Sequence, residues 1–406
     1  MSESLSTEIK SNAFQIKDKN SLDNDLTLQG FTNSSSLPVE TESVFDNIIP
    51  GLTPAKNPNP LMTSSAIISD FNGDGKNDKL WYNSQTGETA IWLMDGTNIL
   101  AEASIKTVTP GSTLNIADFN ADNKTDLLIH NTQTGEVTAL VMDGTTIVSE
   151  TALTPQGAEW NPTLVDFNAD NKTDIFWRNA QTGENKAWLM DGTTITSETA
   201  LDTFDTNWTA QAGFFNGDTN TDILWRNNVT GENVVWFMNG TTATPSALPT
   251  LGAEWQISSF GDFNFGLQSF ETDIVWHNTQ TGENKVWLFD EGNVVTDAAL
   301  PTLAGAGWKS VIGDFDGNGN TDIFWYNEQT GENKVWIMDG STVTSDVSLQ
   351  TQSPAWKASI SDVDGDGKTD IFWRNYETGE NKVWVMNGTT YTESPLMARS
   401  PEWYTA

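Results

Sequence analysis

The chain has no cysteine and few basic residues. Its 406 residues include 20 Lys and Arg against 55 Asp and Glu, which gives a formal net charge of −35. The missing cysteine excludes disulfides, thiolate metal sites and cysteine nucleophiles. The negative charge disfavours nucleic acid and anionic lipid as partners, and it favours bound cations.

Long apolar runs are also missing. No stretch approaches the roughly 20 apolar residues that a membrane span needs, so we expect no membrane insertion. The first residues, MSESLSTEIKSNAFQIKDKN, lack both a basic start with an apolar core and a small-residue cleavage site, so we expect no standard secretory signal. Residues 1–60 are rich in Ser, Asn, Asp and Thr, which predicts a disordered polar leader.

The rest of the chain is built from one repeated unit. An acidic loop begins seven times, and successive loops are 48 residues apart except for one interval of 52. The exception comes from insertions in two loops, FNFGLQSFETD and FDEGN, where added residues are tolerated. The loops begin at Asp70, Asp118, Asp166, Phe214, Asp262, Asp314 and Asp362.

Each repeat contains four short segments separated by Gly- and Asn-rich turns, which predicts four β-strands of about five residues. The second and third are apolar on both faces, as in DIFW and VWLM, so we expect sheets stacked face to face. Seven such units predict an all-β fold, a seven-bladed β-propeller over 61–406 with four antiparallel strands per blade. We place the blades at about 64–111, 112–159, 160–207, 208–254, 255–307, 308–355 and 356–406.

The 18 Trp residues fall on three equivalent positions of the repeat: the start of strand one, strand two and strand three. Blade 2 uses Ser112, Ile129 and Leu140 at these positions, which indicates that the Trp residues serve packing. Blade 1 has Ser64 at the first position, whereas the chain ends in PEWYTA. We therefore expect Trp403 to pack against blade 1 and close the ring. The apolar segment VFDNIIPGL, residues 44–52, is a candidate to dock on the ring.

The acidic loops carry oxygen-bearing side chains at positions 1, 3, 5 and 9. Calcium takes about six to eight oxygens, which a tight loop supplies from alternate side chains and one backbone carbonyl, here at position 7. Position 6 needs Gly, or Asn as second choice, for a left-handed turn. Solvated turns are the alternative, but clustered carboxylates repel one another without a counter-ion.

The sequence therefore predicts about five well-formed Ca²⁺ sites and two degraded ones. The five sites, with position 7 contributing its carbonyl, are Asp70, Asn72, Asp74, Lys76 and Asp78; Asp118, Asn120, Asp122, Lys124 and Asp126; Asp166, Asn168, Asp170, Lys172 and Asp174; Asp314, Asp316, Asn318, Asn320 and Asp322; and Asp362, Asp364, Asp366, Lys368 and Asp370. Blade 4 has Phe214 at position 1 and Thr219 at the bend, and blade 5 has an insertion. The weak sites there are Asn216, Asp218 and Asp222, and Asp262, Asn264 and Asp273.

At these residues the sequence resembles the FG-GAP/VCBS repeat family, the calcium-loop propellers of integrin α-subunit heads, certain fungal lectins and many bacterial surface or secreted proteins. The resemblance covers residues 64–406. It implies a seven-bladed ring and a calcium role for the loop positions. Members of the family divide between adhesion and carbohydrate binding, so the resemblance selects no ligand.

A second set of polar residues follows the Trp position of strand two and points to the opposite side of the strand. With the Glu of the next turn and the Lys of strand three, these positions predict a ring of equivalent pockets between blades, which would bind sugar with avidity. The structural alternative is a set of inter-blade ion pairs over the Trp core. The residues are Tyr82, His130, Arg178, Arg226, His277, Tyr326 and Arg374, near Glu88, Glu184, Glu232, Glu283, Glu332 and Glu380 and near Lys186, Lys285, Lys334 and Lys382.

The sequence thus predicts a non-enzymatic, calcium-binding, monomeric ring that binds a glycan or a protein partner at the cell surface or outside the cell, where calcium is abundant. The alternative in another class is a structural scaffold within an assembly, with the leader as its tether. Enzyme activity finds little support, because His130 and His277 occupy equivalent positions in different repeats and are best interpreted as repeat variants. A carboxylate pair acting on a polysaccharide in the central channel is the remaining catalytic alternative.

Overall fold

The computed structural model describes residues 69–264 and 271–405. Within these ranges the chain forms 28 β-strands, arranged as seven four-stranded antiparallel sheets. The predicted seven-bladed β-propeller is confirmed. No helix that could span a membrane occurs in this part of the chain. The leader predicted over 1–60 and the segment 44–52 lie outside the described residues.

Equivalent strands have similar lengths in blades 2 to 7, whereas blade 1 has a short first strand of 3 residues and a long fourth strand of 10 residues. Those of the first three blades in chain order are β1 Lys79–Asn83, β2 Glu88–Asp95, β3 Asn98–Thr107, β4 Ser112–Ala117, β5 Asp126–Asn131, β6 Val137–Asp143, β7 Thr146–Leu153, β8 Trp160–Val165, β9 Asp174–Asn179, β10 Asn185–Asp191 and β11 Thr194–Leu201. Those of blades 4 and 5 are β12 Trp208–Gly213, β13 Asp222–Asn227, β14 Asn233–Asn239, β15 Thr242–Leu248, β16 Trp255–Gly261, β17 Asp273–Asn278, β18 Asn284–Asp290 and β19 Asn293–Leu300. The remaining strands are β20 Trp308–Gly313, β21 Asp322–Asn327, β22 Asn333–Asp339, β23 Thr342–Leu349, β24 Trp356–Ser361, β25 Asp370–Asn375, β26 Asn381–Asn387, β27 Thr390–Leu396 and β28 Trp403–Thr405.

Blade 1 takes its first strand from the end of the chain. β28 pairs with β1, so that Trp403 lies opposite Asn83 and Thr405 opposite Trp81. The expected closure by Trp403 is confirmed. The approximate boundaries at 64–111 and 356–406 therefore change, because residues 403–405 belong to the sheet of blade 1.

Hydrophobic packing runs between successive blades. The buried residues form seven clusters, and each cluster combines side chains from two neighbouring sheets, including blades 7 and 1. Strand two is buried on both faces, as in β25, where every residue is buried. The Trp residues of strands two and three fill these clusters, which confirms their packing role.

The outermost strands expose alternate side chains, as in β11. Unpaired strand edges invite association with other chains. Five blades have a register shift between strands three and four, and the other two place Pro245 or Pro395 in the outer strand. Bulges and proline both disrupt pairing at an edge.

Candidate functional site

The acidic loops adopt the left-handed conformation that was predicted at position 6. Gly75, Asn123 and Asn171 have positive φ values of 82°, 61° and 63°. Thr219 of blade 4 is not among the positive-φ residues, so that loop bends differently, as its β-branched residue requires. Position 4 is also left-handed, which the sequence did not indicate, and two of these residues are alanines with φ of 59° and 58°, Ala121 and Ala169.

The Asp at position 1 is held by the backbone of its own loop. In blade 1, Asp70 Oδ1 accepts the N–H of Gly73 at 2.7 Å, and Oδ2 accepts the N–H of Gly75 at 2.8 Å. The same pattern holds Asp314 and Asp362. The loop therefore wraps around the carboxylate at its start.

The Asp at position 9 joins the loop to strand three in every blade. In blade 1, Asp78 Oδ2 accepts the N–H of Phe71, and Oδ1 accepts the N–H of Met94, both at 2.8 Å. Equivalent pairs occur at Asp126, Asp174, Asp222, Asp273, Asp322 and Asp370. This Asp has a structural role even in blades 4 and 5, where the loops are degraded.

Three carboxylates converge in each of two loops. One oxygen each from Asp314, Asp316 and Asp322 lies within 4.8 Å of the others, and Asp362, Asp364 and Asp370 converge in the same way. These are positions 1, 3 and 9 of blades 6 and 7. In blades 1, 2 and 3 position 3 is Asn, and its amide oxygen accepts the N–H of position 5, as Asn72 does from Asp74 at 2.9 Å.

Burial disfavours the ionised form of the converging carboxylates and so raises their pKa values. Burial first, and neighbouring carboxylates after it, raise the pKa of Asp322 to about 8 and that of Asp370 to about 7, although each accepts two backbone N–H bonds. The pKa of Asp362 rises to about 6 for the same reasons. The side chains that converge at these sites offer only carboxylate oxygens as ligands, and a hard divalent cation suits such a set. The residues therefore fit calcium.

The loops are joined to one another around the ring. The side-chain hydroxyl of the Thr at position 8 accepts a hydrogen bond from the backbone N–H of position 1 in the preceding blade. The backbone N–H of the same Thr donates to the backbone carbonyl of that position 1 residue. For Asp118 and Thr173 both bonds measure 2.8 Å. The other pairs are Asp70–Thr125, Asp166–Thr221, Phe214–Thr272, Asp262–Thr321 and Asp314–Thr369.

Lysines at position 7 lie beside the sites. Lys124 and Lys172 form ion pairs with Asp143 and Asp191 of the next hairpin in their own blades. Lys368 instead donates to Asp366 Oδ2, the position 5 carboxylate of its own loop in blade 7, at 2.9 Å. The backbone carbonyls of these lysines remain the predicted ligands.

Blade 5 contains a buried acid that the sequence did not identify. Glu271 is only 1% exposed. Burial, followed by nearby carboxylates that include Glu271, raises the pKa of Asp222 in blade 4 to about 7 and that of Asp273 in blade 5 well above its usual value. The insertion before Glu271 hid this position, because it broke the register of the loop.

The predicted ligand-binding residues of strand two contact other groups of the protein itself. Arg226 donates to the carbonyls of Gly231, Gly252 and Trp255 and to Asn233 Oδ1. Arg178 and Arg374 make equivalent sets of bonds, and His277 bonds Asn284. Tyr82 accepts the N–H of Gly111, His130 bonds the Gln156 carbonyl, and Tyr326 packs on Phe324. This geometry favours the structural alternative, with backbone carbonyls as partners of the Arg residues.

A surface cavity of about 230 Å³ lies in blade 5. It is lined by the partly exposed Trp255, by Glu283 and Lys285, and by Asn284, Ala299, Leu300 and Thr302. The Lys285 ammonium lies 5.1 Å from the centre of the Trp255 ring. The cavity thus combines an aromatic face with a donor and an acceptor. Lys285 and Glu283 belong to the set that the sequence predicted near the pockets.

A model of an FG-GAP-like repeat matches residues 70–129, 118–177 and 314–373. These three segments are similar to FG-GAP-like repeats. The matched segments contain the loops of blades 1, 2, 3, 6 and 7, the five that were predicted to be well formed. No curated protein matches the chain.

Two solved structures show the same type of fold. The chain is similar to a lectin from Agrocybe aegerita that specifically recognises non-reducing terminal N-acetylglucosamine, with a TM-score of 0.67, 15% identity and coverage of 85% of this chain and 98% of the lectin. It is also similar to a post-proline cleaving enzyme from Rickettsia typhi, with a TM-score of 0.51, 12% identity and coverage of 81% of this chain and 53% of the enzyme. At these identities the likeness shows the fold alone.

Proposed function

We propose that this protein is a non-enzymatic, calcium-stabilised propeller that binds saccharides at the cell surface or outside the cell. The observation that carries the proposal is the cavity of blade 5, where Trp255 lies beside Lys285 and Glu283. Sugars present apolar faces that pack on aromatic rings and hydroxyl groups that need both donors and acceptors.

In this proposal calcium stabilises the blades from the acidic loops, which lie at the opposite ends of the strands from the cavity. The loops of blades 6 and 7 each bring three carboxylates together, and the bonds between successive loops extend their order to neighbouring blades. The ion would be held by positions 1, 3, 5 and 9 and would supply the positive charge that these carboxylates need. Extracellular calcium concentrations fill even weak sites of this type, which favours a location outside the cell.

Propellers of this fold include a sugar-binding lectin from Agrocybe aegerita as well as an enzyme, so the case against catalysis rests on the residues of this chain. His130 bonds the backbone carbonyl of Gln156, and His277 bonds Asn284 Oδ1. Neither histidine lines the cavity. A general base with free access to a substrate is therefore not provided by histidine.

A glycan array with the full chain, in calcium and in EGTA, tests the proposal. We expect sugar binding by the wild type, loss of binding in Trp255→Ala, and retention in Trp208→Ala. Trp208 is a matched control because it starts the first strand of blade 4, whose third strand has Val234 in place of the lysine. A blank array for the wild type in calcium, with a protein partner recovered instead, contradicts saccharide binding and favours the scaffold alternative.

A further inference from the structure

Two strand-three lysines are bonded to the chain's own glutamines. Lys186 Nζ donates to Gln156 Oε1 at 2.9 Å, and Lys382 Nζ donates to Gln352 Oε1 at 2.6 Å. Both glutamines are buried, with exposed fractions of 4% and 7%. A lysine ammonium has only donors, so the amide oxygen must face it.

Each of these lysines also lies over a tryptophan of its blade. The distances from Nζ to the ring centre are 4.1 Å for Lys186 over Trp160 and 4.7 Å for Lys382 over Trp356. In blades 3 and 7 a lysine therefore packs over a Trp ring and also donates a hydrogen bond to a glutamine carboxamide from the preceding loop.

Blade 5 has the same Trp–Lys pair without the carboxamide. The loop before it places Leu251 at the position of Gln156, since the Leu251 N–H donates to Gly231 as the Gln156 N–H donates to Gly135. Lys285 Nζ lies 2.9 Å from Asp297 Oδ1 and 3.1 Å from Asp297 Oδ2, and among the described residues no carboxamide bonds it as Gln156 bonds Lys186. This is the lysine that lines the cavity.

Blade 6 does not offer a second open site of this kind. Its Lys334 pairs with Asp346, but Trp308 is only 8% exposed. The indole N–H of Trp308 donates to the carbonyl of Ala304, in the loop that precedes blade 6. The aromatic face needed for a ligand is therefore covered.

We propose that the blade 5 cavity takes a saccharide with an acetamido group, whose carbonyl oxygen bonds Lys285 as the amides of Gln156 and Gln352 bond the equivalent lysines. This rests on the proposed saccharide binding and names its class. A neutral acceptor is favoured over a carboxylate because Glu283 lines the cavity and the chain carries a formal charge of −35. In blades 3 and 7 the equivalent site is occupied by the protein's own Gln156 or Gln352.

Titration calorimetry with N-acetylglucosamine and with glucose tests whether a glutamine placed beside Lys285 removes sugar binding at the blade 5 cavity. We expect the wild type to bind the N-acetylated sugar at one site and glucose at least tenfold more weakly. Leu251→Gln should supply the chain's own amide and weaken binding at least tenfold, whereas Leu251→Met, which keeps the size without the amide, should change affinity less than twofold. Equal affinity in both variants overturns the inference.

The converse substitution tests the gain of a site. Gln352→Leu removes the carboxamide from Lys382, so the stoichiometry should rise from one to two. A wild-type protein that binds a glycan, with affinity and stoichiometry unchanged in Leu251→Gln and Gln352→Leu, overturns this inference and leaves saccharide binding intact.

A sugar-free measurement separates the two proposals. Crystals of the full chain soaked in acetamide should show its oxygen on Lys285 Nζ and not on Lys186 or Lys382. An empty Lys285 in the soaked crystals overturns the inference whatever the glycan array shows. Acetamide at Lys285 together with a blank array contradicts saccharide binding and, with it, an acetamido sugar as the ligand, although Lys285 then binds an amide oxygen.

Discussion

Asp174 accepts the backbone N–H of Met190 at 2.8 Å while its second oxygen accepts the N–H of Phe167 at 3.0 Å. One carboxylate thus joins the start of the acidic loop, the second strand and the third strand. Because the same bonds recur in all seven blades, including the two with degraded loops, this Asp has a role in the fold that does not depend on the ion.

Asp174→Asn should destabilise the protein even without calcium. An amide would turn an NH₂ donor toward one of two buried N–H groups, and leaving such a group unsatisfied costs about 1–3 kcal/mol. Urea unfolding in EGTA measures this change. The matched control is Asp170→Asn, an exposed position 5 residue, which should reduce calcium affinity and leave stability in EGTA nearly unchanged. Equal stability of both variants in EGTA would show that position 9 serves the ion alone.

Stability without calcium should rise as the pH falls from about 8 to about 5. Burial raises the pKa of Asp78, Asp126 and Asp174 to about 7 and that of Asp322 to about 8. Because these values exceed the unfolded value of about 4, the folded state binds more protons in this window, and stability is lost as pH rises through the folded pKa. Melting temperatures in EGTA measure this trend.

The calcium-bound protein should show the opposite trend. The ion needs ionised carboxylates, so the stabilisation by calcium should shrink as the pH falls below about 7. Stability in EGTA that increases with pH over the same window would contradict the buried, uncompensated charge of these loops.

Two alanines store strain that glycine would relieve. A left-handed conformation costs a non-glycine residue about 1–2 kcal/mol, and Ala121 and Ala169 have φ of 59° and 58°. Each substitution to Gly should raise the free energy of unfolding by up to about 1 kcal/mol, because the greater entropy of unfolded glycine offsets part of the gain. Ala180→Gly, at an exposed turn residue without positive φ, should be neutral or destabilising. Equal effects at all three positions would contradict the strain.

Arg374 should be required for closure of the ring. Its guanidinium donates to the carbonyls of Trp403, Ser400 and Gly379 and to Asn381 Oδ1, and so ties the last strand to blade 7. Arg374→Ala should lower the free energy of unfolding by about 2–4 kcal/mol, since several buried acceptors lose their donor.

Arg374→Lys should recover little of this loss, because an ammonium cannot reach acceptors arranged for a planar fork. Calorimetric melting measures both variants. A lysine variant as stable as the wild type would show that charge alone, and not the geometry of the guanidinium, holds the closure.

The sequence predicted the features that repeat and missed those set by tertiary contacts. The period of 48 residues, the four strands and the terminal Trp403 were enough to predict the ring and its closure. The left-handed Asn123 and Asn171 followed from the loop pattern. The strained Ala121 could not be predicted, because alanine gives no local signal for that conformation.

The polar residues of strand two show a second limit of the sequence. Pattern alone places Arg226 beside an aromatic residue, but only the fold shows that backbone carbonyls of the next loop take up its guanidinium. Likewise, the alternation of carboxylates indicates an ion, but it does not show that Asp174 accepts the N–H groups of Phe167 in its own loop and of Met190 in the neighbouring strand. Glu271 was missed because the insertion before it obscured the register.

A crystal structure grown in millimolar calcium, with anomalous scattering to identify the ion, tests the central claim most directly. The account predicts Ca²⁺ in the loops that begin at Asp70, Asp314 and Asp362, with oxygen ligands from positions 1, 3, 5 and 9 at about 2.3–2.6 Å and the carbonyl of position 7 completing the set. Water alone among the carboxylates of these three loops would contradict it.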